Sequence, residues 1–266
     1  MEKSKYGKQI AYLWKGNATN EQICLKEVSS TLYISEDKKE EIEKSFQEAK
    51  LKNPNFFDGT LWRYEGINNL CGGVEFLLSP TTYMPHNILR HEDYPISVKE
   101  GKFKSNYPNP FSINSLQITA DNYILIGVKG NKSDQRGLGV MGAGFIKRNI
   151  QRGNNLPPED IFQAALRESN EETAYANNTA PIEEDINNFR ALGTIFGSNH
   201  DTTACIYVPL NAKKSEVDIG NLEHSDLFFL KNDKKSLENF LNEGGMKGVP
   251  AVDHLIGCIE LYYNLK

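Results

Sequence analysis

The sequence predicts a mixed α/β (α+β) protein, and three observations lead to that class. Short runs rich in β-branched and aromatic residues, bounded by turn residues, recur along the chain and are typical of strands. Apolar residues at helical spacing, such as Ile161, Phe162 and Ala165, indicate amphipathic helices between those runs. No apolar stretch approaches the roughly 18 residues that a membrane-spanning helix requires.

The chain of 266 residues is long enough for one large or two modest domains. The composition changes after Pro108-Asn109-Pro110, and we place a boundary there. Residues 1–111 are expected to form a β-rich module with one helix, and residues 112–266 a second, mixed domain.

Strands are predicted wherever period-two or β-branched runs meet turn residues, and helices wherever capping residues precede an apolar stripe. The predicted strands are 10–14, 23–28, 31–34, 61–65, 74–79, 112–119, 123–128, 189–196, 203–209 and 227–230. The predicted helices are 36–51, 234–241, 252–265 and a central helix that follows Pro158.

Charge and cysteine usage exclude several classes of protein. The net charge of −5 gives no support for a nucleic-acid-binding surface or a membrane-binding basic face. The N-terminal residues carry charges without an apolar signal core, so we expect a cytoplasmic protein. Four cysteines with no C-x-x-C pair indicate reduced thiols rather than a zinc site.

The stretch from Pro158 to Tyr175 carries the main chemical signal, Arg167-Glu168-x-x-Glu171-Glu172. On a helix, positions i, i+3 and i+4 lie on one side, so three carboxylates would be gathered there. Charge runs on helices are often only solvated faces. A hard divalent cation, however, would turn this crowding into a binding site, and Mg²⁺ or Mn²⁺ suits carboxylate oxygens.

With Gly153 and Glu159, these residues fit the pattern G-x5-E-x7-R-E-U-x-E-E-x-G-U, and the chain therefore resembles the Nudix hydrolase family. Gly142-Ala143-Gly144-Phe145 is the alternative match to the glycine pair that family members place before the helix. Ser169 and Ala174 depart from the pattern. The resemblance implies a Nudix-type α/β/α sandwich with a mixed sheet, and a metal-dependent hydrolase.

The resemblance also implies roles for single residues. Glu168, Glu171 and Glu172 would hold the metal, and Arg167 would orient a carboxylate. Glu171 or a downstream acid would act as the base, with Glu223 the first candidate and Asp201 and Glu216 behind it. Substrate binding is expected of a basic residue after the second core strand and of an arginine in the N-terminal module: Lys129 and Arg63. Glu159 is expected at most to support other residues from the helix N-terminus.

The run Asn53-Pro54-x-x-Phe57-x-Gly59-x-x-x-Arg63 is similar to a Nudix subgroup that includes UDP-glucose pyrophosphatase-like proteins. We therefore expect hydrolysis of a nucleoside diphosphate linked to another group, with a nucleotide sugar such as UDP-glucose favoured. ADP-ribose, dinucleoside polyphosphates and a non-catalytic nucleotide-binding protein stay open. For His86, Arg90 and His91, solvation in a loop is expected over the alternative of contact with substrate phosphates.

Overall fold

The computed structural model describes the chain apart from residues 1, 8–9, 31, 55, 57, 90–96, 100–101, 105–107, 131–136, 149–158, 198–200 and 222. Gly153, Arg90 and His91 therefore lie outside the described residues, and so does Phe57 of the N-terminal pattern. Within the described residues, no helix is both long and apolar enough to cross a membrane.

The described residues form eighteen strands, most of them in two sheets. The strands are β1 (Glu2–Lys3), β2 (Ala11–Ala18), β3 (Ile23–Glu27), β4 (Thr60–Leu70), β5 (Gly73–Thr82), β6 (Ser97–Lys99), β7 (Lys102–Lys104), β8 (Phe111–Ile118), β9 (Tyr123–Lys129), β10 (Leu138–Val140), β11 (Ala143–Phe145), β12 (Thr173–Tyr175), β13 (Arg190–Phe196), β14 (Thr202–Pro209), β15 (Val217–Ile219), β16 (His224–Lys231), β17 (Gly245–Met246) and β18 (Val249–Pro250).

Five α-helices accompany these strands. They are α1 (Glu36–Lys52), α2 (Tyr83–Leu89), α3 (Ile161–Glu172), α4 (Lys234–Glu243) and α5 (Asp253–Leu265). The predicted helices at 36–51, 234–241 and 252–265 are confirmed to within two residues at each end.

The larger sheet has nine strands in the order β1-β2-β13-β14-β8-β9-β10, with β11 paired to β8 and β16 paired to β9. The β14–β8 pair is parallel and the other pairs are antiparallel, so the sheet is mixed, as predicted. Its pairings bring β8, β9, β11 and β16 together at one place, although they are distant in sequence.

Helices cover both faces of this sheet. The side chains of each strand point alternately to one face and to the other, so a strand can pack against helices on both sides. On β8, Phe111 and Ile113 belong to one buried cluster, which also contains Phe162 of α3. Leu116 belongs to a second cluster, which contains Leu255 of α5. The three-layer α/β/α arrangement that the resemblance implies is therefore present.

A five-stranded sheet, β3-β5-β4-β7-β6, carries the N-terminal part of the chain. Asn109 joins it to the larger sheet, since its Nδ2 donates to the Tyr64 carbonyl at 3.1 Å and its Oδ1 accepts from Thr202 Oγ1 at 2.9 Å. β1 and β2 nevertheless belong to the nine-stranded sheet, through β13. The division at residue 112 stays a prediction, and the two sheets divide the chain differently from it.

The strand predicted at 31–34 is wrong for its described residues, 32–34, which form no strand. The Leu32 N–H instead donates to Ser30 Oγ at 3.1 Å. Such local side-chain contacts compete with the ladder of a sheet.

Candidate active site

Helix α3 begins at a well-formed cap. The Asp160 carboxylate accepts hydrogen bonds from the backbone N–H groups of Phe162 and Gln163, both at 2.8 Å, and Gln163 Oε1 accepts from Asp160 N. This capping box fixes where the helix starts. Ile161 and Phe162 are fully buried against the sheet. The helix is therefore rotated so that its last turn, with Glu168 and Glu172, faces the glycine-rich turn between β10 and β11.

Arg167 links two carboxylates on the helix side of the site. Its Nε donates to Glu159 Oε1 at 2.7 Å and its Nη2 donates to Glu159 Oε2 at 3.0 Å, while Nη1 pairs with Glu168. Nη2 also donates to the Phe145 carbonyl at 3.1 Å. The expected contact between Arg167 and a carboxylate is therefore present.

Glu159 does more than lie at the positive end of the helix. Only 8% of it is exposed, and besides Arg167 it accepts the backbone N–H of Lys147 at 2.9 Å. Asp160, not Glu159, caps the helix. Glu159 therefore fixes the Arg167 guanidinium, which in turn fixes Glu168.

Glu168 lies directly against Gly144. A Cβ atom at residue 144 would come within 1.9 Å of Glu168 Oε1, so only glycine leaves room for the carboxylate. Burial, together with the negative charges of Glu171 and Glu172, raises the pKa of Glu168 to about 7. These effects outweigh the positive charge of Arg167, which acts in the opposite direction. A nearby cation would favour the ionised form.

Glu172 is almost completely buried, with 1% of its side chain exposed. Its Oε2 accepts from Gly142 N at 2.8 Å and lies 2.8 Å from His224 Nε2, while Oε1 accepts from Ala143 N at 3.0 Å. Burial opposes its charge, but the contact with His224, the charge of Lys129 and the Gly142 amide together lower the pKa of Glu172. It is therefore ionised.

His224 is the residue that the sequence analysis missed. It begins β16, and its side chain is fully buried. Because the ionised carboxylate of Glu172 can only accept a hydrogen bond, the His224 nitrogen that faces it, Nε2, carries the proton. Gly127 on the neighbouring β9 makes the space for it, since a Cβ there would lie 2.1 Å from His224 Nδ1. A glycine inside a strand, together with a histidine next to the predicted acid Glu223, is the signal that could have found it.

Glu171 is the most accessible of the three glutamates, with 52% of its side chain exposed. Arg167 Nη1 lies 3.6 Å and Lys147 Nζ 3.9 Å from its carboxylate oxygens. It therefore faces solvent beside the Arg167–Glu168 pair.

Lys129 and Glu223 lie near enough to the buried carboxylate Glu172 for the charges to interact. The charge of Lys129 acts on both Glu172 and Glu223. Burial and the charge of Glu172 raise the pKa of Glu223, against the opposing effect of Lys129. The backbone N–H of Gly130 donates to the Glu223 carbonyl at 2.9 Å, which ties the two segments together. The roles of Lys129 and Glu223 stay predictions, and the structure places their charges within reach of Glu172.

The other predicted residues lie elsewhere. The Arg63 side chain is 0% exposed and pairs with Glu65, so it would have to leave this buried partner to touch a substrate. Glu216 is half-buried and caps a short 3₁₀ helix by accepting the backbone N–H of Lys213. Asp201 pairs with His254. The prediction that His86 is solvated is wrong, because it is 5% exposed.

The fit of a divalent metal can be judged from the donors. Among the described residues, no group of three or more His, Cys, Asp and Glu side chains is arranged so that it could hold a metal ion. The chemistry nevertheless suits Mg²⁺, which takes one or two carboxylates together with water and substrate phosphates. Glu168 and Glu171 provide two such groups. Glu172 has about four lone-pair sites and uses three, so one site on Oε1 is left.

Comparison of the chain with models of known protein families and with curated proteins finds no match. Solved structures give similarities of low identity. The NUDIX domain of Shewanella oneidensis NrtR, complexed with ADP ribose, has 15% identity and a TM-score of 0.40, covering 58% of this chain and 86% of that one. A NUDIX-family hydrolase from Clostridium perfringens has 17% identity and a TM-score of 0.36, covering 59% and 97%.

A C. elegans Ap4A hydrolase has 14% identity and a TM-score of 0.36, covering 58% of this chain and 96% of that one.

Proposed function

We propose that this chain is a Nudix-type hydrolase that cleaves the pyrophosphate bond of a nucleoside diphosphate linked to another group. The products would be a nucleoside monophosphate and a phosphorylated remainder. The observation that supports this most is the state of Glu168. Arg167 holds its carboxylate beside Glu171, and burial and like charges raise its pKa to about 7. The ionised form of such a buried carboxylate is stabilised strongly by a divalent cation beside it.

The glutamates Glu168, Glu171 and Glu172 would hold one or more Mg²⁺ or Mn²⁺ ions. When bound, such ions neutralise phosphate charge and acidify a coordinated water. Arg167, fixed by Glu159, keeps Glu168 in place. His224 and the amides of Gly142 and Ala143 do the same for Glu172.

Lys129 and Glu223 take complementary roles in this proposal. Lys129 offers a positive charge to a substrate phosphate beside the carboxylates. The raised pKa of Glu223 makes its carboxylate a better proton acceptor, so Glu223 would serve as the base, with Glu171 as the alternative. Arg63 keeps only a structural role, because of its burial with Glu65.

The substrate class rests on the sequence. The N-terminal pattern from Asn53 to Arg63 favours a nucleotide sugar such as UDP-glucose, while ADP-ribose and dinucleoside polyphosphates are the alternatives. The four cysteines are free thiols, which supports the cytoplasm as its location.

A phosphorus NMR assay tests the reaction. UDP-glucose, ADP-ribose and a diadenosine polyphosphate are incubated with the protein, with Mg²⁺ or with a chelator. We expect a nucleoside monophosphate to form only with the metal, and Glu172→Gln to abolish it. Product formation by Glu172→Gln at the wild-type rate would contradict the assignment of Glu172 as a metal ligand.

A second candidate is a nucleotide-binding protein without turnover, and one observation favours it. Both oxygens of Glu172 already accept hydrogen bonds within the protein. Calorimetry with the same nucleotides in the presence of Mn²⁺ separates the two candidates. Binding without any product in the NMR assay would decide for the binding protein.

A further inference from the structure

An exposed lysine lies beside the most accessible of the three glutamates. Lys147, two residues after the end of β11, places Nζ 3.9 Å from Oε1 of Glu171. The two side chains are 55% and 52% exposed. At this distance the ammonium and the carboxylate attract each other as charges but make no hydrogen bond. A ligand that approaches Glu171 from solvent can therefore also reach Lys147.

The backbone of Lys147 is fixed at the edge of the candidate site. Its N–H donates to Glu159 Oε2 at 2.9 Å, and the same carboxylate accepts from Arg167. Lys147 also forms an isolated antiparallel β-bridge with Leu61 of β4. The exposed side chain thus extends from an anchored point, which keeps its ammonium near Glu171.

Two neighbouring arginines are already engaged with other partners. Arg167 is 20% exposed and bonds two carboxylates. Arg148, the residue after Lys147, donates from Nη2 to Glu27 Oε1 at 2.8 Å. An exposed pair such as Lys147 and Glu171, in contrast, contributes little to stability, so Lys147 can exchange its partner for another anion at small cost.

The position of Lys147 favours an anion between it and a metal ion. A divalent cation bound by Glu171 would be repelled by the Lys147 ammonium, because both are positive. A phosphate oxygen that contacts both cations offsets this repulsion, and charged hydrogen bonds from lysine to phosphate are strong. Lys147 is therefore suited to bind substrate when the metal is present.

We propose that Lys147 binds a phosphate group of the substrate beside Glu171, as a second cation in addition to Lys129. The two lysines come from different places in the sheet, since Lys129 ends β9 and its charge acts on the buried Glu172. A diphosphate has two phosphoryl groups, so each lysine can contact one of them. This inference rests on the proposed function for the identity of the ligand as a diphosphate.

Calorimetry with methylenediphosphonate and Mn²⁺ tests the contact without turnover. In this compound a carbon atom replaces the bridging oxygen of pyrophosphate, so it is not hydrolysed. We expect Lys147→Ala to raise the Kd of the diphosphonate roughly tenfold, the low end for a hydrogen bond between charged groups. Lys147→Arg, which keeps the positive charge, should lie near wild type.

Lys26→Ala is the matched control, on β3 of the five-stranded sheet. Lys26 Nζ lies 3.6 Å from Glu75 Oε2, and 57% of its side chain is exposed. Its replacement should leave the Kd of the diphosphonate unchanged. Titration with Mn²⁺ alone, followed by electron paramagnetic resonance, gives a second readout. Lys147→Ala should bind Mn²⁺ as tightly as wild type or up to about fivefold more tightly, because a repelling charge is lost.

Weaker diphosphonate binding by Lys147→Ala without a loss of Mn²⁺ affinity supports the proposal. An unchanged Kd for the diphosphonate, a parallel loss of affinity for diphosphonate and Mn²⁺, or the absence of diphosphonate binding by wild type would overturn it. These outcomes do not depend on hydrolysis. The supporting result from a protein that forms no nucleoside monophosphate would keep Lys147 as a phosphate-binding residue and count against the enzyme.

Discussion

Nε2 of His224 lies 2.8 Å from Oε2 of Glu172, and both side chains are buried. This contact joins strand β16 to the last turn of helix α3, across 52 residues of sequence. It gives Glu172 a fixed orientation that the helix alone could not provide.

Replacing His224 should therefore weaken metal binding. Partners that orient a ligand typically contribute 10- to 100-fold to metal affinity, so we expect His224→Ala to raise the Kd for Mn²⁺ by about that factor. It should also lower the free energy of unfolding by about 1–3 kcal/mol, because a buried acceptor loses its donor. Titration with Mn²⁺ followed by electron paramagnetic resonance measures the affinity directly. His224→Gln, which keeps a donor, should lie closer to wild type, and an unchanged Kd in His224→Ala would contradict the role.

The stability of the metal-free protein should fall as the pH rises from about 4.5 to about 7. The pKa of Glu168 is raised from its ordinary 4.5 to about 7 in the folded protein, so the folded state binds more protons than the unfolded state in that window. The stabilisation that protonated Glu168 gives the folded state is complete below pH 4.5 and is lost as the pH rises past 7. The change is on the order of 3 kcal/mol at about 1.4 kcal/mol per pKa unit.

Urea unfolding at pH 5 and pH 8 measures this change, with Glu168→Gln as the control. The variant should lose less stability than wild type over the same range. Mg²⁺ at pH 8 should stabilise wild type more than the variant. A parallel pH dependence of the two proteins would rule out Glu168 as the titrating group.

Gly144→Ala should disable the site while leaving the fold intact. The new Cβ would occupy the place of Glu168 Oε1 and push the carboxylate away from Arg167. We expect activity and Mn²⁺ affinity to fall at least tenfold, as when the partners of a metal ligand are removed. Far-ultraviolet circular dichroism should be unchanged.

Gly66→Ala is the matched control on β4. A Cβ there would meet only Leu77 Cδ1, at an ordinary 3.7 Å. Its activity should equal that of wild type. Equal activities of Gly144→Ala and Gly66→Ala would show that the approach of Glu168 to residue 144 is unimportant.

Local patterns were sufficient to predict most helices and strands. The cap at Asp160 and the apolar stripe of α3 are encoded within a few residues, and the β13–β14 hairpin has alternation on both sides of one turn. The paired strands 189–196 and 203–209 were accordingly predicted to within one residue at each end. Such features depend on neighbours in sequence.

Features that depend on distant residues were not predictable in the same way. Nothing in residues 11–18 indicates that this strand adds to β13, some 175 residues later. Arg63 is predicted to bind substrate from its place in the N-terminal pattern, and only the structure shows that it is buried with Glu65. The motif also indicates three equivalent carboxylates, whereas the structure gives Glu168, Glu171 and Glu172 three different surroundings.

The most direct measurement uses Glu171→Gln. More than half of this side chain is exposed, so its replacement should leave the unfolding free energy within about 0.5 kcal/mol of wild type. We expect metal-dependent release of a nucleoside monophosphate from a nucleotide sugar to fall at least a hundredfold, the low end of general acid–base contributions. Release by Glu171→Gln at the wild-type rate, in a folded protein with Mg²⁺ present, would contradict the proposed hydrolase site.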